Sequence, residues 1–170
     1  DLSVIIPAYN EEKTLREIVE RVQAVMIPRN SVMEQEDETS KTDLIVLEIV
    51  LVDDGSADST PDIMEDLKAH EQITDHFAGF TILRQKNAGK GAALKTGIAA
   101  ARGDIVLFQD ADLEYDPQDY PVVIKPIMRG EVEAVIGSRF LIDQNLFISK
   151  WNLAYLRNHL GIRLITLLTN

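Results

Sequence analysis

The sequence predicts an α/β fold: three layers, with a mostly parallel sheet covered by helices on both faces. Two observations predict it. Short apolar, β-branched runs alternate with helical patterns along the chain, and such alternation gives parallel strands joined by helical crossovers. The runs are also too uniformly apolar for strands with one wet face, as burial on both sides of a sheet requires. At 170 residues the chain suffices for one domain with a real core, and a single domain over 1–170 is expected.

The first strand is read at Leu2–Pro7, followed by a helix over Glu11–Met26. In that helix Leu15, Ile18, Val19, Val22 and Met26 recur at helical spacing and make one buried stripe. Residues 28–43, PRNSVMEQEDETSKTD, are polar, acidic and aperiodic. They are read as a surface insertion, a loop rather than a lid. A second strand is read at Leu44–Val52, a helix at Ser59–His70, and a third strand at Phe80–Leu83. A helix at Gly89–Ala101, a strand at Ile105–Phe108, a helix at Pro117–Arg129 and a last strand at Ala134–Gly137 complete the alternation. The tail, Lys150–Asn170, carries Lys150, Arg157, His159 and Arg163 without an acid among many apolar residues. It reads as a core helix in preference to an interfacial helix meeting an anionic lipid. The chain is expected to be a piece trimmed at both ends.

Composition excludes several classes. A formal net charge of −11 argues against nucleic-acid binding, which relies on basic surface. The lack of cysteine excludes disulfides, zinc–thiolate sites and thiol nucleophiles, and fits a reducing compartment. No apolar run approaches the roughly 20 residues of a membrane-spanning helix.

Three strands end in residues that carry chemistry, and ligands of open α/β sheets sit beyond the carboxyl ends of strands. Asp110, Asp112, Glu114, Asp116 and Asp119 crowd into the stretch after Phe108, a concentration of like charge that is unfavourable unless a cation sits among it. Asp110 and Asp112, two residues apart, can turn toward one point, and hard oxygen ligands suit Mg2+ or Mn2+ held jointly with substrate phosphates. Glu114 is a third or outer ligand. In VDDGSADST, Gly55 permits a left-handed turn, Asp58 or Ser59 caps the next helix, and Pro61 suits its first turn. Capping leaves Asp53 and Asp54 unexplained, and a carboxylate there could accept the ring N–H of a base. Lys90 and the glycines of NAGKGAALKTG stand at a helix N-terminus, a natural anion site. The motif is neither a phosphate-binding P-loop nor the dinucleotide fingerprint. Arg139, in VIGSRF, is aimed at the same edge.

VIIPAYNEE, VLVDDGSADST, NAGKGAALKTG, FQDADLEYDPQDYP and VIGSRF, in this order, resemble family 2 nucleotide-sugar glycosyltransferases of the GT-A fold. The branch most resembled is that of dolichyl-phosphate mannosyltransferases and bacterial polyprenyl-phosphate glycosyltransferases. The likeness covers nearly the whole chain apart from 28–43. It implies that Pro7, Tyr9 and Glu11 line a nucleoside pocket and that Asp53 or Asp54 reads the base. It further implies that Lys90, Gln109, Asp110 and Ala111 contact the nucleotide sugar, that Asp110, Asp112 and Glu114 hold Mg2+ or Mn2+, and that Asp112 and Arg139 act at the reacting phosphates. Members of that branch run on past the point matching Asn170 into an acceptor-side region. The donor is then a GDP- or UDP-sugar and the acceptor a polyprenyl phosphate. The protein is expected to be cytoplasmic, peripheral on the cytoplasmic face of a membrane, with homo-oligomers left open. A phosphomonoester acceptor is largely dianionic at neutral pH and needs no general base. That suits a chain whose histidines, His70, His76 and His159, lie outside the strand-end motifs. With a sugar-hydroxyl acceptor, a carboxylate such as Asp116 would have to serve as base. A receiver-like phospho-acceptor domain and a non-catalytic sugar-nucleotide module are the alternatives from other classes.

Overall fold

The computed structural model describes residues 1–29 and 43–137. Arg139, the tail and most of the 28–43 insertion therefore lie outside the described residues. Asp1–Val135 form one compact unit. Its elements run β1 (Leu2–Ala8), α1 (Leu15–Gln23), β2 (Leu47–Asp53), α2 (Thr60–Ala69), β3 (Phe77–Arg84), α3 (Lys90–Ala100) and β4 (Ile105–Phe108). A 3-10 turn (Pro117–Asp119) then leads into α4 (Tyr120–Met128).

Among the described residues, four strands form one parallel sheet in the order β3-β2-β1-β4. Period-2 alternation sorts the side chains onto two faces. Leu2, Val4, Ile6 and Ala8 of β1, with Leu47, Ile49 and Leu51 of β2, join Leu15, Ile18, Val19 and Val22 of α1 in the larger core, which also takes in α2 and α4. Ile5, Val50 and Val52 point the other way, onto Ala93 of α3. Helices thus cover both faces, as predicted. The crossovers through α1 and α2 run on one face and step outward to β3, whereas α3 crosses the opposite face and returns the chain to the far side of β1.

Gly97 sets how closely α3 lies on the sheet, because a Cβ there would overlap Ile5 Cγ2 and come 3.3 Å from Val52 Cγ2. At the amino-terminal end of the strands Glu48 is buried beneath the segment leaving α3. Its carboxylate accepts from the Ser3 hydroxyl (2.5 Å) and from the Arg102 backbone N–H (2.5 Å) and Nε (2.7 Å). Burial alone would raise the Glu48 pKa, but these bonds outweigh it and hold the carboxyl below its ordinary value.

The helix over Glu11–Met26 begins only at Leu15, since 11–14 form a turn, and α2 and α3 lie within a residue of expectation. β3 starts three residues earlier than read, and β2 begins at Leu47, after Leu44 makes an isolated antiparallel bridge to Pro28. β4 is not buried on both faces. Among the described residues it is the outer strand of the sheet, with Phe108 51% exposed. Ala134–Gly137, expected as a strand, pair with no strand among the described residues, and Ile136 is almost fully exposed. A four-residue apolar run is a strand only where a neighbouring edge pairs with it.

Candidate functional site

The sheet order places a topological switch point between β1 and β4, because the chain steps to β2 and β3 on one side of β1 and returns on the other. In such sheets this is where the loops diverge and leave a crevice. A cavity of about 330 Å3 lies there, lined by the end of β1 (Pro7, Ala8) and the loop after it (Tyr9, Glu11), Asp54, the turn after β4 (Asp110, Ala111, Asp112) and the start of α3 (Gly89, Lys90). The two acidic motifs therefore meet on one cavity, although β2 and β4 are not neighbours and β1 runs between them.

The loops after β1 and β2 are laced together. Asn10, held at a positive φ of 59°, accepts from the Ala57 N–H through Oδ1, and its own N–H donates to the Ser56 hydroxyl (both 2.9 Å). Glu11 N–H donates to the Thr60 hydroxyl at 2.8 Å. Glu12 N–H donates to Asp58 Oδ2, and Glu12 Oε2 accepts from Ser59 N–H. Ser59 occupies the cap position of α2 without a side-chain cap bond, while Asp58 Oδ1 accepts from Thr60 N–H. Of the two cap candidates, Asp58 does the capping. Gly55 takes the expected left-handed conformation, φ 78°.

Asp53 and Asp54 part company. Asp53, 1% exposed, is not a cavity residue; its Oδ1 accepts from Ser56 N–H at 2.9 Å, closing the turn. Arg84 Nε lies 2.9 Å from Asp53 Oδ2 but off the line a hydrogen bond needs, so that contact is purely ionic. Asp54 lines the cavity and anchors its opposite wall. Oδ1 accepts from Gln85 Nε2 (2.7 Å) and Ala88 N–H (3.0 Å), and Oδ2 accepts from Gly89 N–H (2.8 Å). Burial pushes this carboxyl up, and the three donors outweigh it, leaving the pKa below the ordinary value. Two loop amides that an anion could have used are thereby committed to Asp54. What remains at the mouth of α3 are the Lys90 and Gly91 amides, since the Ala92 N–H already donates to Gly89 O at 3.0 Å, and the Lys90 side chain.

Lys90 Nζ sits 2.5 Å from Asp110 Oδ1, with the two side chains 60% and 28% exposed. Ala111 is buried between Asp110 and the exposed Asp112, and Leu113 turns the chain with φ 61°. Asp112 Oδ1 accepts from Glu114 N–H at 3.1 Å. Glu114 is exposed and does not line the cavity. Among the described residues no group of three or more His, Cys, Asp or Glu is gathered to hold a metal ion. Glu114, read as a third or outer ligand, does not join Asp110 and Asp112 on the cavity lining. Gln109 also differs from expectation. It is 1% exposed and faces the interior, accepting from the Tyr120 hydroxyl at 2.8 Å and so tying α4 to the end of β4. Burial raises the Tyr120 pKa far above its ordinary value.

Asn87 lines the cavity and Gln85 shapes its wall, and neither was anticipated. The polar run QKNAG ahead of the glycines was the available signal. Pro7, Tyr9, Glu11, Asp54, Lys90, Asp110, Ala111 and Asp112 come together; Asp53, Gln109 and Glu114 stand off the cavity.

Fold and rim together define an α/β protein of the GT-A class, with its candidate site at the switch point of the sheet. The chain belongs to glycosyl transferase family 2, whose model matches residues 3–169. It is 31% identical over 171 residues to the dodecaprenyl-phosphate galacturonate synthase of Rhizobium johnstonii, covering 96% of this chain and 44% of that protein. It is 33% identical to the dolichyl-phosphate beta-glucosyltransferase ALG5D of Trichomonas vaginalis, covering 95% and 45%. The chain thus spans less than half the length of these curated relatives. Among solved structures, the mannosyltransferase PcManGT from Pyrobaculum calidifontis in complex with GDP-Man and Mn2+ matches 73% of this chain and 31% of its own, at 28% identity and TM-score 0.51.

Proposed function

We propose that this chain carries the donor side of an inverting, metal-dependent glycosyltransferase that moves a hexose from a GDP- or UDP-sugar to a polyprenyl (dolichyl-type) phosphate. The observation that carries this reading is the convergence of Asp110, Asp112 and Lys90 on one switch-point cavity with an aromatic wall, Tyr9. The family and the polyprenyl-phosphate relatives support it, as does the GDP-Man and Mn2+ complex of the archaeal neighbour.

The residues fit Mg2+ or Mn2+. Asp110 and Asp112 offer hard oxygens on one cavity, and Asp110 already draws a cation to it, the Lys90 ammonium. Two carboxylates without a third suit an ion that completes its shell with substrate phosphates and water. Such an ion, held by Asp110 and Asp112, would supply charge neutralisation at the departing nucleoside diphosphate. The chain's own groups do the rest. Tyr9, half exposed, offers a ring face to the base. Of the two aspartates, Asp54 is the one on the cavity. Its Oδ2 takes a single donor, which leaves a lone pair for a base N–H. Lys90 meets the diphosphate with positive charge, and the Lys90 and Gly91 amides at the start of α3 donate to it. Arg139 acts on a phosphate of donor or acceptor. A phosphate acceptor attacks without deprotonation, and His70 and His76 are not cavity residues. Among the described residues no helix is long and apolar enough to cross a membrane. We place the protein on the cytoplasmic face, in peripheral contact with the bilayer that holds its acceptor.

The test is product formation by the full-length protein with polyprenyl phosphate and with sugar acceptors, across GDP- and UDP-hexoses. Transfer to polyprenyl phosphate with inversion is expected; transfer to sugars alone refutes the proposal.

A further inference from the structure

We infer that Lys90 is the resident counter-cation of Asp110, a positioning residue that keeps the cavity closed to a lone divalent ion and opens it only to the ion together with a diphosphate. The inference rests on the metal-and-diphosphate reading above and adds an order to it.

Asp110 and Asp112 face one cavity two residues apart, and Asp54 stands on the same lining. These like charges repel, and each remaining neighbour already has its own work. Asp54 is satisfied by Gln85, Ala88 and Gly89, and Asp112 Oδ1 by the Glu114 amide. Lys90 is the cavity-lining cation, and its ammonium contacts Asp110 Oδ1 at 2.5 Å. That oxygen is one a divalent ion would need. A metal ion arriving alone must therefore displace the ammonium and leave it beside the new dication. A diphosphate arriving with the ion reverses the balance. Lys90 begins α3, so a short swing of its side chain carries the ammonium from Asp110 to phosphate oxygens at the mouth of the same helix. The wall that carries Lys90 hangs on Asp54, so this exchange needs no movement of the backbone beyond the side chain's own reach.

The ordering follows directly. Metal alone binds weakly, nucleoside diphosphate alone binds weakly, and the two together bind far better than the product of the separate affinities.

The experiment uses the wild-type chain, Lys90→Met and Lys90→Arg, titrated with Mn2+ in the presence and absence of UDP or GDP. Free Mn2+ is followed by electron paramagnetic resonance, and nucleotide binding by calorimetry. Lys90 is largely exposed, so both variants are expected to fold, which circular dichroism checks. Without nucleotide, Lys90→Met should bind Mn2+ about fivefold more tightly than wild type, the scale of a half-exposed ion pair. Lys90→Arg should stay within about twofold of wild type, because the positive charge is retained. With Mn2+ present, Lys90→Met should lose nucleotide affinity while wild type and Lys90→Arg keep it. Unchanged or weaker binding of Mn2+ alone by Lys90→Met, with wild-type cooperativity between Mn2+ and nucleotide intact, overturns this inference and leaves the functional reading standing. Failure of every form to bind Mn2+ with any nucleoside diphosphate overturns both.

Discussion

Replacing Asp54 by Asn probes whether a single carboxylate holds the wall that presents Lys90. Asp54 is 4% exposed and accepts from Gln85 Nε2, Ala88 N–H and Gly89 N–H. Asparagine keeps one carbonyl oxygen, enough for Gln85 and Ala88. Its NH2 then replaces Oδ2 and faces the Gly89 N–H, donor against donor. One bond to a charged acceptor is lost, about 1.5–3 kcal/mol, and a part-buried amide is stranded at about 1–3 kcal/mol. The two costs overlap, so we expect about 3 kcal/mol of destabilisation, or roughly 1–2 M off the urea midpoint at a slope of about 2 kcal/mol per M. The pH dependence follows from the depressed Asp54 pKa. Its stabilisation is present in full above about pH 4, the ordinary aspartate value, and is lost as pH falls through the folded-state value. The variant has no such group to titrate, so the gap between the two proteins should shrink in acid. Urea titrations followed by circular dichroism at neutral pH and at about pH 3 measure it. A variant within about 0.5 kcal/mol of wild type at neutral pH would refute the reasoning, and so would a gap that grows in acid.

Four other substitutions test other parts of the account. Gly97→Ala should destabilise by up to about 2 kcal/mol in denaturant titration, since overpacking of about 1–3 kcal/mol against Ile5 and Val52 outweighs the helix-propensity gain of about 1 kcal/mol. Gly91→Ala in the same helix meets nothing within 4 Å and should stabilise by up to about 1 kcal/mol; equal signs for the two would contradict the packing of α3. Glu48→Gln should lower stability by about 2 kcal/mol, discounted from a fully buried pair because the Arg102 side chain is 68% exposed. Its nucleotide affinity, read by calorimetry, should be unchanged, because the Glu48 cluster lies at the opposite end of the strands. Asp112→Asn should leave the melting curve within about 0.5 kcal/mol of wild type, as an exposed residue would. It should nevertheless abolish Mn2+-dependent donor binding, and unchanged donor affinity in calorimetry with Mn2+ rejects its place at the metal.

Local signals were legible where the chain's own pattern determined the outcome. Leu15, Ile18, Val19 and Val22 form the buried stripe of α1, whereas Met26, read as its last member, lies beyond the end of the helix at Gln23 and is 62% exposed; β1 and β4 begin where their apolar runs begin. Pro61 and Gly55 fixed the turn into α2 before any tertiary contact was known. Relationships between strands were less legible. That β1 separates β2 from β4 is a property of crossover direction, which depends on the face each helix covers. The inward turn of Gln109 follows from alternation beyond Phe108: Gln109 and Ala111 are buried while Asp112 is exposed. Reading that stretch for its charges hid the period. The different fates of Asp53 and Asp54 were beyond sequence, because they depend on where the loop 85–89 comes to rest. Ala134–Gly137 shows the reverse error, an apolar run read as a strand without a partner to pair with among the described residues.

The rim loops differ in how much redundancy secures them. Between the loops after β1 and β2 run several independent bonds, from Asn10, Glu11 and Glu12 to Ser56, Ala57, Asp58, Ser59 and Thr60. Losing any one of them leaves the others in place. The facing loop gathers three bonds on one side chain, that of Asp54, and Gln85 is tied besides through its N–H to Asp53 O and its Oε1 to the Thr96 hydroxyl. The cleft therefore has a fixed jaw and a jaw hung mainly from one peg. Substitutions scattered over the first should be absorbed with little change in shape, whereas a change at the peg re-aims everything the second one carries.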